Sequence, residues 1–461
     1  MTARALLGLA VANVLVLGTG SCLLWGARGL RSWVDLARLS GFAYLLGVAA
    51  LGVALSLELV VGVPFGLATI VLTCVALGLA GLVAGRMLGR TRPSRGRGQG
   101  RGLGLVAASY AVLVVVYLES LFRAGRLASL SNWDGWAFWI PKAKAIYFFG
   151  ELDDQLFREL ANPTYPPLVP ALEAAAFHAM GSADVVTLHV QFWFFLTGFV
   201  AAVAGLLAPR VPAALLWPVL LLVLVAPRVV SRTLEPQADF LLDYFFALAA
   251  LLVALWLVER EPWQLACASL LLAGAILTKR EGQLLAACVV VAALAASWGT
   301  RRSAWPRIAL AAGSTLALAV PWRIWFGSRD LTGELPESGL LGLFDHLDRP
   351  WPALRSVVAA LVDYHLWLLV LPLAAAAIVL ALVGGARILP VYAVLVYGLA
   401  TAGFVWVLWS FTELELPFVQ DEGVNPIVRL CGSLVVLSAA LVPLLLDAAW
   451  RGADRAEREV A

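Results

Sequence analysis

The chain has 461 residues, of which 62% are hydrophobic and 14% are charged, and its mean hydropathy is +0.89. These values exclude an ordinary soluble domain, and a formal net charge of +3 is too small to indicate a nucleic-acid partner. Because each crossing helix needs about 20 apolar residues, we predict an all-α, polytopic integral membrane protein.

Apolar segments that could form transmembrane helices follow one another along the chain. The first is kept as a helix rather than a signal peptide, because it is long and no convincing cleavage site follows it. The pattern predicts a bundle of about thirteen such helices, at 6–25, 42–60, 65–83, 103–122, 185–207, 213–226, 240–258, 265–278, 284–298, 308–325, 366–383, 389–410 and 427–446.

The arginines predict how the bundle is oriented, because cytoplasmic loops collect Lys and Arg. Segment 86–101, RMLGRTRPSRGRGQGR, carries six arginines and no acid, so we predict that it is cytoplasmic. It is either a solvated loop or a contact for anionic membrane lipids. Counting helices from it places loop 123–182 outside, which predicts a multi-pass plasma-membrane protein with an extracytoplasmic site.

Segment 86–101 also reads as a basic linker between parts of the chain, which suggests three units. Residues 1–102 would hold three accessory helices and the basic linker. Residues 103–325 would be the working module, with its large outer loop at 123–182 carrying juxtamembrane helices. Residues 326–461 would supply an outer loop and the C-terminal helices.

A polar island at residues 131–170 interrupts the apolar sequence. It contains Asp134 among aromatic residues that include Trp133 and Trp136. A carboxylate near a sugar hydroxyl can act as a general base, and the tryptophans can stack on sugar faces. The alternatives are that Asp134 caps a helix and that the tryptophans belong to the aromatic belt of the membrane interface.

Lysine is scarce, since Lys142, Lys144 and Lys279 are the only lysines among 33 basic residues. The predicted topology places all three at the outer face, and Arg280 follows the last of them. An intramembrane cation needs a partner, and a compact ammonium binds phosphate as a point charge. We therefore predict an anionic substrate. The alternative is that these lysines only snorkel at helix ends.

A second polar cluster contains Arg228, Arg232, Glu235 and Asp239, with Asp243 one helical turn deeper. Asp239 and Asp243 share a helix face and must face the bundle interior or a wet cavity. The alternative is structural pairing of the acids with Arg228 or Arg232. The four histidines are too scattered to predict a metal site by spacing, so no metal ligand or certain cofactor is assigned.

These motifs together resemble the GT-C glycosyltransferases, especially the branch with bacterial protein mannosyltransferase-like enzymes and the lipid A aminoarabinose transferase. The matching stretches, in chain order, are Trp133 and Asp134 at the loop opening, TYPPLVPAL at 164–172, Gly181 after a helix, RTLEPQADFLLDYFF at 232–246 and GAILTKREG at 274–282. The resemblance covers residues 103–325.

The resemblance implies an inverting transfer from a polyprenyl-phosphate sugar to a hydroxyl of a glycan, lipid or protein. Asp134 would be the base, and Lys279, Arg280 and either Lys142 or Lys144 would hold the donor phosphate. We expect the substrate cavity to be lined by Trp133, Trp136, Tyr165, Arg232, Glu235 and Asp239. Gly135 stands where relatives place a second acid, and Tyr165 where some place an acid and a lysine, so a divalent metal is left open.

Two other functions are compatible with the sequence. A lipid-linked saccharide transporter or flippase would place functional charge at the bilayer midplane, with some repeat symmetry. The charge here concentrates instead in one outer loop. A non-catalytic scaffold of an envelope assembly would make Asp134→Asn silent.

Overall fold

The computed structural model describes residues 2–91, 94, 104–329, 331, 344, 346–410 and 426–460, and only the backbone at 426 and 453–460. Within these ranges the chain is helical, with a single isolated β-bridge between Ser32 and Ser94. The predicted all-α class is therefore confirmed. Most of the basic linker and all of segment 412–425 lie outside the described residues.

The α-helices are numbered in chain order, α1 to α20. They are Ala3–Arg28, Trp33–Arg38, Ser40–Val60, Leu67–Met87, Leu105–Gly125, Ile140–Phe149, Asp154–Glu159, Leu168–Met180, Val185–Leu207, Ala213–Leu224, Pro227–Arg232, Asp239–Glu259, Pro262–Thr278, Glu281–Ala296, Arg301–Gly327, Pro350–Val362, Tyr364–Trp367, Val370–Val383, Ile388–Ser410 and Pro426–Val460. A π-helical turn at Gly135–Trp139 precedes α6.

Among the described residues, nine helices are long and apolar enough to cross a membrane: α1, α3, α4, α5, α9, α12, α15, α19 and α20. The chain is therefore a multi-pass membrane protein. The remaining four predicted crossings correspond to the shorter helices α10, α13, α14 and α18, so a total of thirteen crossings stays a prediction. Segment 366–383 is divided, because Leu368 adopts a positive φ of 54° between α17 and α18.

Helices α12 and α20 form the centre of the bundle. In each of them 94% of the apolar window is buried, against 22% in α1 and 28% in α4. An apolar helix of a membrane protein is surrounded by lipid or by other helices, and α12 packs against both α13 and α20. Asp239 in the first turn of α12 is consequently buried, and Arg429 in the first turn of α20 is half-buried.

The outer loop predicted at 123–182 is a packed helical layer. The π-helical turn continues into α6, which packs against α8, and α8 in turn contacts α1 and α3. Gly150 and Gly181 end α6 and α8 with φ of 75° and 69°, a left-handed conformation that glycine adopts at little cost. This layer holds the π-helical turn, with Asp134 at its start, against one end of the bundle.

Candidate functional site

Asp134 lies directly before the π-helical turn, a feature that is frequent at functional sites. Its side chain makes no capping hydrogen bond. The amide of Gly135 donates instead to the side-chain oxygen of Asn132, so the capping role considered for Asp134 belongs to Asn132. The Asp134 carboxylate, 14% exposed, is free to form an ion pair with Arg429.

Arg429 joins two carboxylates that are far apart in the sequence. Its Nε lies 2.8 Å from Oδ2 of Asp239 and its Nη2 lies 3.2 Å from Oδ1, a bidentate arrangement. The same Nη2 donates to Asp134, 295 positions away. Arg429 was not predicted as a site residue. The signal was present in the sequence, because an arginine in the first turn of an apolar helix needs a partner.

Lys279 stands in the sharp turn between α13, which ends at Thr278, and α14, which begins at Glu281. Its ammonium lies 2.7 Å from Oδ1 of Asp239 and 3.1 Å from Oε1 of Glu281. Burial and the charge of Arg429 lower the pKa of Lys279, but the two carboxylates outweigh them and hold the pKa above its usual value. The lysine therefore stays charged although it is only 4% exposed.

Gly282 explains why the turn can be so tight. A Cβ at this position would lie 2.1 Å from the carbonyl oxygen of Ala275 and 2.4 Å from its carbonyl carbon. Only glycine permits this approach of α14 to α13 without a backbone shift. Gly282, the last residue of the GAILTKREG stretch, therefore has a steric role in positioning Lys279.

We call the ion-paired residues Asp134, Arg429, Asp239, Lys279 and Glu281 the charge network. They come from the π-helical turn, α20, α12 and the α13–α14 turn. Three acids and two bases leave the charge network with one excess negative charge. Such a buried network is stable only while nearly all of its charges are partnered.

Aromatic rings form one wall beside the charge network. Tyr165 stacks on Trp139 with ring centroids 5.5 Å apart, and the Lys279 ammonium lies 5.8 Å from the Tyr165 centroid. Burial raises the pKa of Tyr165 to about 12, so its hydroxyl is protonated at neutral pH. Trp133 and Trp136 pack edge to face, with their centroids 6.1 Å apart, and remain 53% and 54% exposed.

The three lysines do not converge. Lys142 is fully buried, donates to the backbone carbonyl of Asn162 and lies over the rings of Phe138 and Phe157. Lys144 is two residues further along α6 and therefore points to a different side of the helix. Neither lysine forms an ion pair with the charge network in the described residues.

Two arginines lie next to the charge network. Arg280 donates to the Thr164 hydroxyl over 3.4 Å, beside Tyr165. Burial and the charges of Arg232 and Arg429 lower the pKa of Arg228 to about 10, although Glu235 and Asp239 act in the opposite direction. Its Nη2 is buried and has no hydrogen-bond partner among the described residues. These arginines supply the positive charge that the charge network itself lacks.

The second polar cluster follows the structural alternative for Glu235 but not for Asp239. Arg232 pairs with Glu235 at 2.9 Å, and the Gln237 amide donates to the same carboxylate over 3.0 Å. Asp239 pairs with Lys279 and Arg429 rather than with Arg228 or Arg232. Asp243 lies deeper in α12 and accepts a hydrogen bond from Ser433.

The described part of the chain has no group of three or more His, Cys, Asp or Glu residues arranged to hold a metal ion. No protein-family model, no curated protein and no solved structure matches the chain. The resemblance to GT-C glycosyltransferases therefore stays a prediction.

Proposed function

We propose that the chain is an inverting glycosyltransferase of the GT-C type that takes a sugar from a polyprenyl-phosphate donor at the outer face of the plasma membrane. The observation that supports this most directly is the convergence of Asp134, the proposed base, and Lys279, the proposed phosphate ligand, on Arg429 and Asp239. The acceptor would be a hydroxyl of a glycan, lipid or protein.

Asp134 takes the acceptor proton in this proposal. The acceptor oxygen attacks the anomeric carbon while the bond from that carbon to the phosphate oxygen breaks, and its electron pair leaves with the polyprenyl phosphate. Arg429 holds the Asp134 carboxylate in place through their ion pair. A phosphate leaves readily when cations meet its developing charge, so no second carboxylic acid is needed, in contrast to glycoside hydrolysis.

The donor phosphate has to exchange with carboxylates to reach Lys279, because Asp239 and Glu281 already contact the ammonium. Arg280 and Arg228 lie at the edge of the charge network and offset its excess negative charge. A phosphate that enters beside them would replace Glu281 on Lys279, while Asp239 stays bound to Arg429. Tyr165, Trp133 and Trp136 supply aromatic surface on which a sugar can stack.

The test is a transfer assay in proteoliposomes with radiolabelled polyprenyl-phosphate sugars and an envelope extract as acceptor. Asp134→Asn should reduce transfer by about 10² to 10⁴ in rate, the usual contribution of a general base. Glu151→Gln is the matched control, because Glu151 is an exposed acid of the same loop. If Asp134→Asn keeps most of the wild-type rate, Asp134 is not the base.

Transport of a lipid-linked saccharide is the second candidate function. The observation in its favour is Asp243, which is buried in α12 and hydrogen-bonded to Ser433, deeper in the bundle than the charge network. Intramembrane acids often serve ion or substrate pathways. A vesicle assay of donor translocation distinguishes the two functions, since Asp243→Asn should abolish translocation in a transporter and leave transfer largely intact in a transferase.

A further inference from the structure

A polar cavity of about 390 Å³ lies at the end of α12 opposite Asp239. The 21 residues of α12 separate the two ends by about 30 Å. Four arginines, Glu259, Glu261 and Trp263 are among the residues that line the cavity. In the topology predicted from the arginines, this end of the bundle is cytoplasmic.

The cavity has more positive than negative charge. Arg28, Arg31, Arg90 and Arg210 line it, against the two acids Glu259 and Glu261. Arg210 is neutralised by Glu259, with contacts of 2.5 and 2.8 Å. Arg28 pairs with Asp35 at 2.6 Å.

Among the described residues, the side chains of Arg31 and Arg90 form no ion pair with an acid. Arg90 Nη2 donates to the carbonyl of Ala27 over 2.7 Å, but its Nε is buried with no hydrogen-bond partner in the described residues. The Arg31 side chain is exposed and forms no ion pair in that part of the chain. A buried guanidinium N–H that is left unpaired costs free energy, so an anion that accepts from it would bind favourably.

The position of the cavity favours a lipid over a soluble anion. It lies where α1, α4 and α12 end and α13 begins, which is the level of the membrane interface in the predicted topology. Trp263 forms part of its wall, and the Arg28 guanidinium lies 5.7 Å from that ring. Tryptophan is enriched at the headgroup level of membrane proteins, and basic pockets between helices on the cytoplasmic side bind anionic headgroups.

We propose that this cavity binds the phosphate of an anionic phospholipid from the leaflet opposite the charge network, with Arg31 and Arg90 as its main ligands. The site is independent of the proposed sugar transfer. The competing explanation is that the arginines only complement the dipoles of helix C-termini, as Arg28 does at the end of α1. That explanation predicts no preference among lipids.

The experiment measures lipid binding to the purified full-length protein in neutral detergent, by native mass spectrometry and by thermal unfolding. Phosphatidylglycerol should bind and raise the unfolding temperature, whereas phosphatidylcholine should not. The double variant Arg31→Gln with Arg90→Gln should weaken phosphatidylglycerol binding at least about tenfold, because charge-assisted contacts to phosphate are lost. If the double variant does not fold, Arg31→Gln alone, which changes an exposed side chain, is measured in its place.

The matched control is Arg302→Gln with Arg307→Gln, which removes two exposed arginines on the same predicted side but outside the cavity. This control should keep wild-type binding. Equal loss in the control and the cavity variants would overturn the proposal, as would equal binding of phosphatidylcholine. An identical stabilisation by inorganic phosphate would mean that the ligand is a soluble anion rather than a lipid, which also contradicts it.

Discussion

The acidic residues at the two ends of α12 are both ion-paired, but they differ in burial. At its first residue, the Asp239 side chain is 11% exposed and is shared between Lys279 and Arg429. At its last residue, the Glu259 side chain is 29% exposed and pairs with Arg210. Removing one member of a buried network leaves the other charges without partners. A partly exposed ion pair, in contrast, is screened by water and contributes little to stability. The Asp239 end should therefore be sensitive to single substitutions and the Glu259 end tolerant.

Asp239→Asn should have the largest effect. The change is nearly isosteric, but it removes the carboxylate that the buried Lys279 and the half-buried Arg429 share. We expect the free energy of unfolding to fall by roughly 3–5 kcal/mol, the usual cost of breaking a buried ion pair. Thermal unfolding of the detergent-purified variant measures this, and a loss below 1 kcal/mol would mean that the charge network is well solvated.

Gly282→Ala should come next, because it alters the turn that positions Lys279 without removing a charge. The added Cβ would overlap the Ala275 carbonyl, and overpacking of this kind costs about 1–3 kcal/mol. Ala286, which also lies on α14 and is buried, provides the control as Ala286→Gly, a change that creates space. If Gly282→Ala leaves the unfolding free energy unchanged, α14 and α13 do not approach closely enough to exclude a Cβ at this position.

Asn132→Ala should have a moderate effect on the loop layer. It removes the side-chain oxygen that accepts from the Gly135 amide, and losing such a cap costs about 1 kcal/mol. Since the π-helical turn follows Asp134, we also expect proteolysis of the loop to become faster. Asn132→Asp keeps the acceptor and should restore wild-type behaviour, and failure of that rescue would contradict the capping role.

Glu259→Gln should have the smallest effect and completes the comparison. The pair with Arg210 is partly exposed, so we expect a loss of about 0.2–1 kcal/mol in unfolding free energy. The difference in unfolding free energy between this variant and Asp239→Asn measures how much more the buried end of α12 depends on its ion pairs. Similar losses for both variants would show that the two ends do not differ in this respect.

The fold class could be predicted because the length and composition of each apolar segment alone indicate whether it can form a helix that crosses the membrane. Each predicted segment except 366–383, which is divided between α17 and α18, corresponds to a single helix in the structure. The division of 366–383 at Leu368 was not predictable, because a positive φ in a leucine follows from tertiary packing. Helix α8 was not among the predicted crossings, since its 13 residues are too few to span a bilayer.

The candidate site was predicted only in part. Asp134, Lys279 and Asp239 were selected because charged residues in apolar surroundings are uncommon. Arg429, the common partner of Asp134 and Asp239, was missed, since nothing local in the sequence links it to residues 295 and 190 positions away. Lys142 was assigned to the phosphate by its scarcity, and the structure instead buries its ammonium against a backbone carbonyl.

The most direct test of the proposed chemistry separates donor binding from sugar transfer. Equilibrium binding of a polyprenyl-phosphate sugar and its single-turnover transfer should be measured for the wild type, Asp134→Asn and Lys279→Gln in the same proteoliposomes. We expect Asp134→Asn to bind the donor like the wild type but not transfer the sugar, and Lys279→Gln to lose binding by about tenfold or more. If both variants bind the donor normally and transfer sugar at the wild-type rate, the charge network is not the site of glycosyl transfer.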